Sequence, residues 1–536
     1  MMCAYQQPPL PAFFNQALAL ALWSGVLLLI AATARGALLR NNNATAQLVS
    51  PVSLWAVLLA VVAAHAMLGL TPTFIVAPVA LNLGLALLVS AAMAWVSPNP
   101  AQLKRWLRAL LVGILIAALF NALAALVQAM APNWADDAFI ARLPLRQDRV
   151  GGNLRQPNQL ATLMVWGLLA TSFFWRQKPL LWIVFSAPLL AALVATGSRT
   201  GMISLLLIVV VALLRSRRVR AWRMKGWLAL LLATIPLLWI AESIFTRNTA
   251  NAAMTLRLVL WRDTLEIISQ HPWFGVGWGQ LNFVWTLTPL PHRAADVFDH
   301  AHSLPLHLAA ELGLPIAALV LSLLAALLWR VRSALRSRHG TTAVLLLATV
   351  LLHSFVEYPL WFSYFLLPSA FLLAWLVSLA KPDADAADAS AESPRAAWCV
   401  GAFKVAAALC FTSVIYACNE YQKAVDIHRA VDQSAALTRA ISTAQQSTLF
   451  GHFGDYAAIM VAGDAATSGL FIRPIRHLLD ERLLSAYARM LARTGKRDQA
   501  TFVVERAREF PPDAAFGNLP SVAGSAPALS SGDFRR

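Results

Sequence analysis

An all-helical membrane bundle of about a dozen spanning segments is the fold class that three features of this 536-residue sequence predict: scarce charge, long apolar runs, and basic residues that recur in alternate loops. Only 13% of residues are charged and 59% are hydrophobic, with a mean hydropathy of +0.61; a soluble chain carries charge at roughly a quarter of its positions. The apolar residues fall in runs of about 17–23, and at about 1.5 Å per helical residue such a run crosses a hydrocarbon layer of about 30 Å. Away from water, backbone polar groups are satisfied only in helices or closed barrels, and these runs lack the period-two alternation of a barrel strand.

The expected spans are 13–33, 52–70, 74–96, 109–131, 159–175, 179–196, 201–214, 227–245, 304–329, 341–356, 359–379 and 397–418. No Lys or Arg precedes the first, and no small-residue cleavage site follows it before Arg35, so it is read as a retained helix rather than a cleaved signal. Lys and Arg collect in the odd-numbered loops: Arg35 and Arg40, Lys104 to Arg108, Arg176 and Lys178, Arg215 to Lys225, and Arg330 to Arg338. Positive charge stays on the cytoplasmic side. The N-terminus, 132–158, 246–303, the turn 354–358 and everything after about 419 are therefore expected on the opposite side. The net charge of +17 is then topology, and no nucleic-acid partner is read from it.

Cys3, Cys399, Cys410 and Cys418 show no CxxC or His-rich ligand spacing, so neither a disulfide nor a zinc site is expected. Residues 381–395, KPDADAADASAESPR, have the composition of a solvated connector. Beyond Cys418 the apolar runs stop. The stretch 480–510 carries apolar residues at helical spacing on both sides of Gly495, a hairpin of tetratricopeptide-like placement, and 515–536 reads as disordered.

Ionisable groups at span edges are costly and usually functional. Arg149, Gly151, Gly152 and Arg155 precede Gln156-Pro157-Asn158 at the start of the fifth span. Donors beside a helix N-terminus suit a phosphate or sugar; the alternative is a plain helix cap with positioning arginines. Arg199, in ATGSRTGM, lies between two short spans where positive charge has no topological reason, so ligand binding is weighed there against a snorkelling residue. In TLRLVLWRDTLEII, Arg257 and Asp263 are expected to share one face of an amphipathic helix. HPWFGVGWGQ lacks a preceding strand and the GxGxxG spacing, which excludes a dinucleotide fingerprint and leaves a carbohydrate-facing turn or an interfacial loop. His307 and Glu311, after His300 and His302, have i,i+4 spacing but not the HExxH pattern, so no metal is expected. His353, Glu357 and Tyr358 fall in HSFVEYPLWF, where an aromatic belt accounts for Tyr358 and Trp361 but not for the acid.

In order, GGNLRQPNQLA, TGSRTG, TLRLVLWRDTL, HPWFGVGWGQ, HAHSLPLHLAAELG and HSFVEYPLWF resemble the O-antigen ligase superfamily of membrane glycosyltransferases. The resemblance is greatest to its protein-glycosylating branch, the bacterial PglL-like O-oligosaccharyltransferases, and covers roughly residues 149–365. It implies Arg199 and Arg257 as phosphate-binding arginines and His302 as the loop histidine. Gln156 and Tyr358 match positions that the branch uses, and Arg155 and Glu357 beside them complete the expected substrate-binding set. Ser303 follows His302 and Gly313 comes nine residues after Ser303 in this ligase-like spacing, whereas Ile316 stands where Gly, Thr or Tyr is usual. Relatives begin with one more helix, and AYQQPPLPAFFNQ resembles the segment that follows it, so either an earlier start or the loss of that helix is expected, the former ahead of the latter.

The resemblance divides the chain into N-terminal spans (1–148), a ligase-like catalytic core (149–380, including the loop 246–303), a linker with the last span (381–418) and a periplasmic helical domain (419–536). It implies an inner-membrane enzyme with its active site facing the periplasm. A preassembled glycan would pass from an undecaprenyl-diphosphate carrier to Ser or Thr hydroxyls of periplasmic or pilin-like proteins, with no cofactor or metal. Guanidiniums suit the diphosphate, and His302 the acceptor's proton; His300 is read as an exposed loop residue. Ligation of O-antigen to lipid A-core, or repeat-unit polymerisation, shares this donor chemistry. A secondary transporter is the reading from another class, but no internal repeat supports it.

Overall fold

A computed structural model describes residues 1, 3–33, 49–96, 100–143, 149–215, 249–290, 293, 294, 296–380, 394–431, 434–510 and 529–534. The expected span 227–245, the connector over 381–393, most of 515–536 and the basic residues Arg35, Arg40 and Arg217 to Lys225 lie outside the described residues. Among the described residues the structure is all-helical, with no strand. Five helical stretches, Phe13–Ala32, Thr73–Trp95, Pro100–Met130, Leu314–Arg336 and Ala397–Arg429, are long and apolar enough to cross a membrane. The chain is an integral membrane protein.

The first half contributes α1 (Phe13–Ala32), α2 (Pro51–Met67), α3 (Thr73–Val96), α4 (Pro100–Met130), α5 (Pro157–Trp175), α6 (Pro179–Ala195) and α7 (Arg199–Arg215). Then come α8 (Thr249–Gln270), α9 (Leu281–Leu287), α10 (Leu304–Leu312), α11 (Leu314–Arg330), α12 (Arg338–Ser354), α13 (Ser363–Leu379) and α14 (Pro394–Arg429). Nearly every residue of α5 and α13 is buried, so these two form the centre of the bundle. Small residues let neighbours close on α5: a Cβ on Gly167 would stand 2.6 Å from Ala118 Cβ, and one on Gly201 2.6 Å from Ala161 Cβ. The buried indoles are satisfied by helix carbonyls, Trp166 Nε1 donating to Leu346 at 3.0 Å and Trp375 Nε1 to Leu103 at 2.8 Å. At one end Arg338 neighbours Arg176 and Arg108, and His339 neighbours Lys104 and Arg108, so basic loops far apart in sequence gather together.

The expected single span 304–329 is instead two helices, α10 and α11, broken at Gly313 with φ 81° and ψ 160°. HPWFGVGWGQ supplies the reason. Val276 N donates to Ala310 O at 2.9 Å and Gly277 N to Glu311 O at 3.1 Å, so the glycine loop occupies carbonyls that a continuous helix would have used. Trp273 and Phe274 of this loop remain exposed.

The last span also departs from its expected limit. At 36 residues α14 is about 54 Å long, far more than a hydrocarbon layer, and its C-terminal half anchors the C-terminal tail. Glu420 Oε2 accepts from Ser447 Oγ at 2.7 Å, and Leu10 N donates to the Tyr421 hydroxyl at 2.8 Å. The tail comprises α15 (Ser434–Gln445), α16 (Gly451–Ala462), α17 (Pro474–His477), α18 (Glu481–Arg493) and α19 (Arg497–Arg508). As the spacing predicts, α18 and α19 form a hairpin about Gly495, φ 79°, with Asp480 capping α18 through Leu483 N at 2.8 Å. The tail packs on the segment after α8: Arg476 Nε donates to Gln280 Oε1 at 2.6 Å, and Leu479 N to Asn282 Oδ1 at 2.7 Å.

Candidate active site

Glu357 lies in the turn between α12 and α13, 6% exposed, where four distant stretches of chain meet. Its Oε1 accepts from Arg257 Nη2 at 2.6 Å and from Asn158 Nδ2 at 3.2 Å, while Oε2 lies 3.0 Å from His302 Nδ1. Burial alone would raise its pKa, but His302 and Arg257 more than offset this and hold the carboxyl at about 2. Glu357 is therefore a fixed anion near neutral pH. It joins a guanidinium to an imidazole.

Local structure sets each partner. Arg257 projects from α8. Asp263, six residues on, faces elsewhere, because six residues turn a helix about 120° short of two full turns. Asp263 Oδ2 accepts from Trp285 Nε1 at 3.0 Å and from Ala294 N at 3.1 Å, so the two residues do not share a face as expected. His302 takes a left-handed backbone, φ 47°, one residue before α10 begins its cap at Ser303. The turn is pinned from both sides: Trp261 Nε1 donates to Ala301 O at 3.0 Å, and Ala301 N to His307 Nδ1 at 3.2 Å. His307 and Glu311 do share a face, with 3.3 Å between Nε2 and Oε2, and Glu311 Oε1 accepts from Leu281 N at 3.3 Å. They brace α10 against α9. Among the described residues no three His, Cys, Asp or Glu side chains converge as metal ligands.

His300 is not an exposed loop residue. Its ring stacks on Tyr358 at 4.1 Å between centroids, and its Nδ1 lies 2.8 Å from Asp299. Tyr358 in turn meets His302 edge to face at 5.0 Å. Burial and the charges of Asp299 and Glu357 raise the Tyr358 pKa, so it stays a phenol able to donate. His353 lies below, buried, with its Nδ1 2.9 Å from Thr162 Oγ1 of α5.

The 149–158 turn enters the site through residues other than the expected pair. Gln156 Oε1 accepts from Gln159 N at 2.6 Å and so caps α5. Arg155, with φ 56°, turns toward the N-terminal segment, where Nη2 donates to Ala4 O at 2.5 Å and to Asp137 Oδ1 at 3.2 Å. The Gly151 and Gly152 amides both donate to Gln128 Oε1, at 3.3 and 2.9 Å, and a Cβ on Gly151 would sit 2.5 Å from the Arg155 carbonyl carbon. These four residues build the turn rather than line the site. Asn158 reaches it: besides donating to Glu357, its Oδ1 accepts from Ser198 Oγ at 2.8 Å and from Arg149 Nη2 at 3.2 Å.

Arg149 Nε donates to Thr196 O at 2.7 Å, which ties the first polar cluster to the second. Burial and then the Arg257 charge lower the Arg149 pKa, Glu357 opposes them, and Arg199 lowers it further. Arg199 itself opens α7, exposed, next to the buried Ser198. Arg149 and Asn158 are the contributors that spacing alone does not single out. Both stand in the polar cluster 149–158, but nothing there says which of its donors point inward.

An apolar cavity of about 260 Å³ opens beside this network. Leu304 and Leu308 of α10, Trp361, Leu58 of α2, Val79 of α3 and Leu347 of α12 are among its lining residues.

Comparison with known proteins points the same way. An O-antigen ligase family model matches residues 184–321, one for the C-terminal part of virulence factor membrane-bound polymerases matches 341–519, and one for protein glycosylation ligases matches 150–175. The chain is 26% identical over 280 residues to a general O-oligosaccharyltransferase of Acinetobacter baylyi, 48% of each chain. It is 28% identical over 245 residues to a ComP-specific O-oligosaccharyltransferase of the same organism, covering 42% of this chain and 44% of the relative. The chain thus spans about half the length of the curated relatives it matches. These matches bear out the likeness to O-antigen ligases and protein-glycosylating enzymes.

Proposed function

We propose that this O-antigen-ligase-like chain is a glycosyltransferase that moves a preassembled glycan from an undecaprenyl-diphosphate carrier to Ser or Thr hydroxyls of periplasmic or pilin-like proteins. The observation that carries the reading is the bridge at Glu357, with Arg257 on one carboxylate oxygen and His302 on the other. An anion that holds Nδ1 leaves Nε2 to accept a proton, the arrangement by which an acid orients a histidine base. The acceptor oxygen bonds to the anomeric carbon as the carbon–phosphate oxygen bond breaks. His302 takes the hydroxyl proton, and the lipid diphosphate departs with the electron pair.

Arg257 donates to Glu357 through one nitrogen, and further N–H groups of its planar fork suit phosphate oxygens; Arg199 is the second phosphate ligand of this reading. Tyr358 is the acceptor-side donor, and Gln156 and Arg155 act from the turn that holds Asn158. The apolar cavity beside Leu304 suits part of the polyprenyl chain. Chemistry runs through protein side chains without a metal.

The membrane arrangement belongs to the same proposal. About twelve helices cross the bacterial inner membrane, the basic loops face the cytoplasm, and the site, the loop 246–303 and the tail from 419 face the periplasm. The chain divides accordingly at 148, 380 and 418, with 149–380 as the catalytic core. A periplasm-dependent reporter fused after residue 430 tests the topology; activity of a cytoplasm-only reporter there overturns it. Because ligase and polymerase models match too, lipid A-core or a glycan repeat is the second acceptor considered.

Transfer from a polyprenyl-diphosphate glycan to a Ser-containing peptide by the purified protein tests the chemistry. Arg199→Lys and Arg257→Lys keep the charge and lose the fork, so each should lower the rate by about tenfold or more with membrane insertion unchanged. Wild-type rates in both variants would reduce these arginines to surface anchors. Transfer to a lipid A-core acceptor, with none to peptide, would select the second reading.

A further inference from the structure

Arg149 is a third guanidinium at the site, and the proposed chemistry leaves it unused. Its acceptors among the described residues are neutral: Nε donates to the Thr196 carbonyl at 2.7 Å and Nη2 to Asn158 Oδ1 at 3.2 Å. Those contacts fix its direction without cancelling its charge. Arg257 differs, since it meets a carboxylate at 2.6 Å. Asn158 connects the two, because its Nδ2 donates to the same Glu357 oxygen that Arg257 holds. The two guanidiniums are thus linked through the Asn158 amide and Glu357, and among the described residues only Arg257 of the two has a counter-charge in direct contact. Arg carries five N–H groups in a planar fork, so two hydrogen bonds orient Arg149 and leave others for a ligand.

A glycan joined to its lipid through a diphosphate carries two ionised phosphate groups, and one joined through a monophosphate carries one. We infer that Arg149 is a further donor-binding residue, which holds the second phosphate group and so selects diphosphate-linked over monophosphate-linked polyprenol donors. This rests on the reading of the site as a lipid-linked glycan transferase. Arg149 reaches that position because the Thr196 carbonyl, at the end of α6, anchors its Nε from one side while the first turn of α5 meets its Nη2 from the other.

The test is equilibrium binding of two labelled lipids, a polyprenyl diphosphate and a polyprenyl monophosphate of equal chain length, to the full-length protein in nanodiscs. The wild type should prefer the diphosphate by about tenfold or more, the worth of one charge-assisted contact. Arg149→Gln should lose that preference while holding the monophosphate within about twofold of wild type. Arg149→Lys should regain only part of the preference, because it restores the charge but neither the planar fork nor both existing hydrogen bonds. An unchanged preference in Arg149→Gln overturns the inference. So does equal loss of both lipids in both variants, which is the result of a broken brace between Thr196 and Asn158. Failure of the wild type to bind either lipid would instead overturn the underlying reading of the site.

Discussion

The backbone of His302 separates its conformational role from its chemical one. At φ 47° it lies in the left-handed region, where Asn is tolerated better than most residues. His302→Asn should therefore keep the turn while removing the imidazole. Its kcat for glycan transfer is expected to fall by about 10²–10⁴-fold, with donor affinity changed by no more than roughly twofold. A near-normal kcat in that variant would assign proton removal to water or to another side chain. Glu357 is a poor candidate, because its carboxyl is held at about 2 by His302 and Arg257 against the opposing effect of burial. His300, stacked on Tyr358 rather than loose in solvent, belongs with the groups that hold the phenol in place.

Two junctions between helices carry consequences of their own. Gly313 divides α10 from α11 in a conformation open almost only to glycine, and a Cβ there would stand 2.3 Å from the Trp273 carbonyl oxygen. Gly313→Ala should cost about 1–3 kcal/mol in backbone strain alone and lower the Tm; an unchanged Tm would mean that the 272–277 loop can move away without cost. The second junction is between the tail and the bundle, where His452 of α16 lies against Phe74 of α3 at 4.8 Å and against His477 at 4.1 Å. Burial, then His477 and Arg473, lower the His452 pKa to about 2; burial lowers that of His477 to about 4, with Asp299 opposing. A histidine in an unfolded chain titrates near about 6.5. The folded rings stay neutral while the unfolded chain gains protons, so stability is full above about pH 6.5 and falls as the pH drops from there toward the folded values. His452→Phe should flatten the fall in Tm between about pH 7 and 5. An identical slope would show that other groups set the acid sensitivity.

Across the whole molecule, the tail and the segment after α8 close around a buried ion pair. Arg293, its side chain wholly buried, lies 2.8 Å from Glu509 and also donates to the carbonyls of Trp285 and Thr288, each at 2.7 Å. Removing Arg293 leaves Glu509 with Arg506 Nε on its other oxygen at 2.6 Å, but strips the Trp285 and Thr288 carbonyls of a donor. Arg293→Met is expected to destabilise the docked tail by about 1–3 kcal/mol, the cost of leaving buried acceptors without a donor, read as protease cleavage within α19 at lower denaturant. Adding Glu509→Leu should deepen the loss, since it also takes the carboxylate from the Arg506 guanidinium, whose side chain is 9% exposed. Cleavage unchanged from wild type in Arg293→Met would mean that the tail is held elsewhere, for instance through Arg476 and Gln280.

Helices and their approximate limits were legible because membrane insertion is a local matter. The run at 13–33 became α1 and that at 74–96 became α3, since the rise per residue and the cost of burying charge act over about twenty consecutive positions. The α18–α19 hairpin was equally plain from its spacing about Gly495. Costly polar residues could also be named one by one, and Arg257, Glu357 and His302 were. Their meeting could not be read in this way: Arg257 and Glu357 lie 100 residues apart, and their contact depends on how α8 packs beside α10 and the turn after α12. The same holds for the Asn158 amide that links Arg149 to Glu357, for Gln156 acting as a cap, and for the break at Gly313 imposed by the glycine loop whose amides take the Ala310 and Glu311 carbonyls. Helix formation answers to neighbours along the chain. Which donor faces which acceptor, and hence which charge survives burial, answers to neighbours in space.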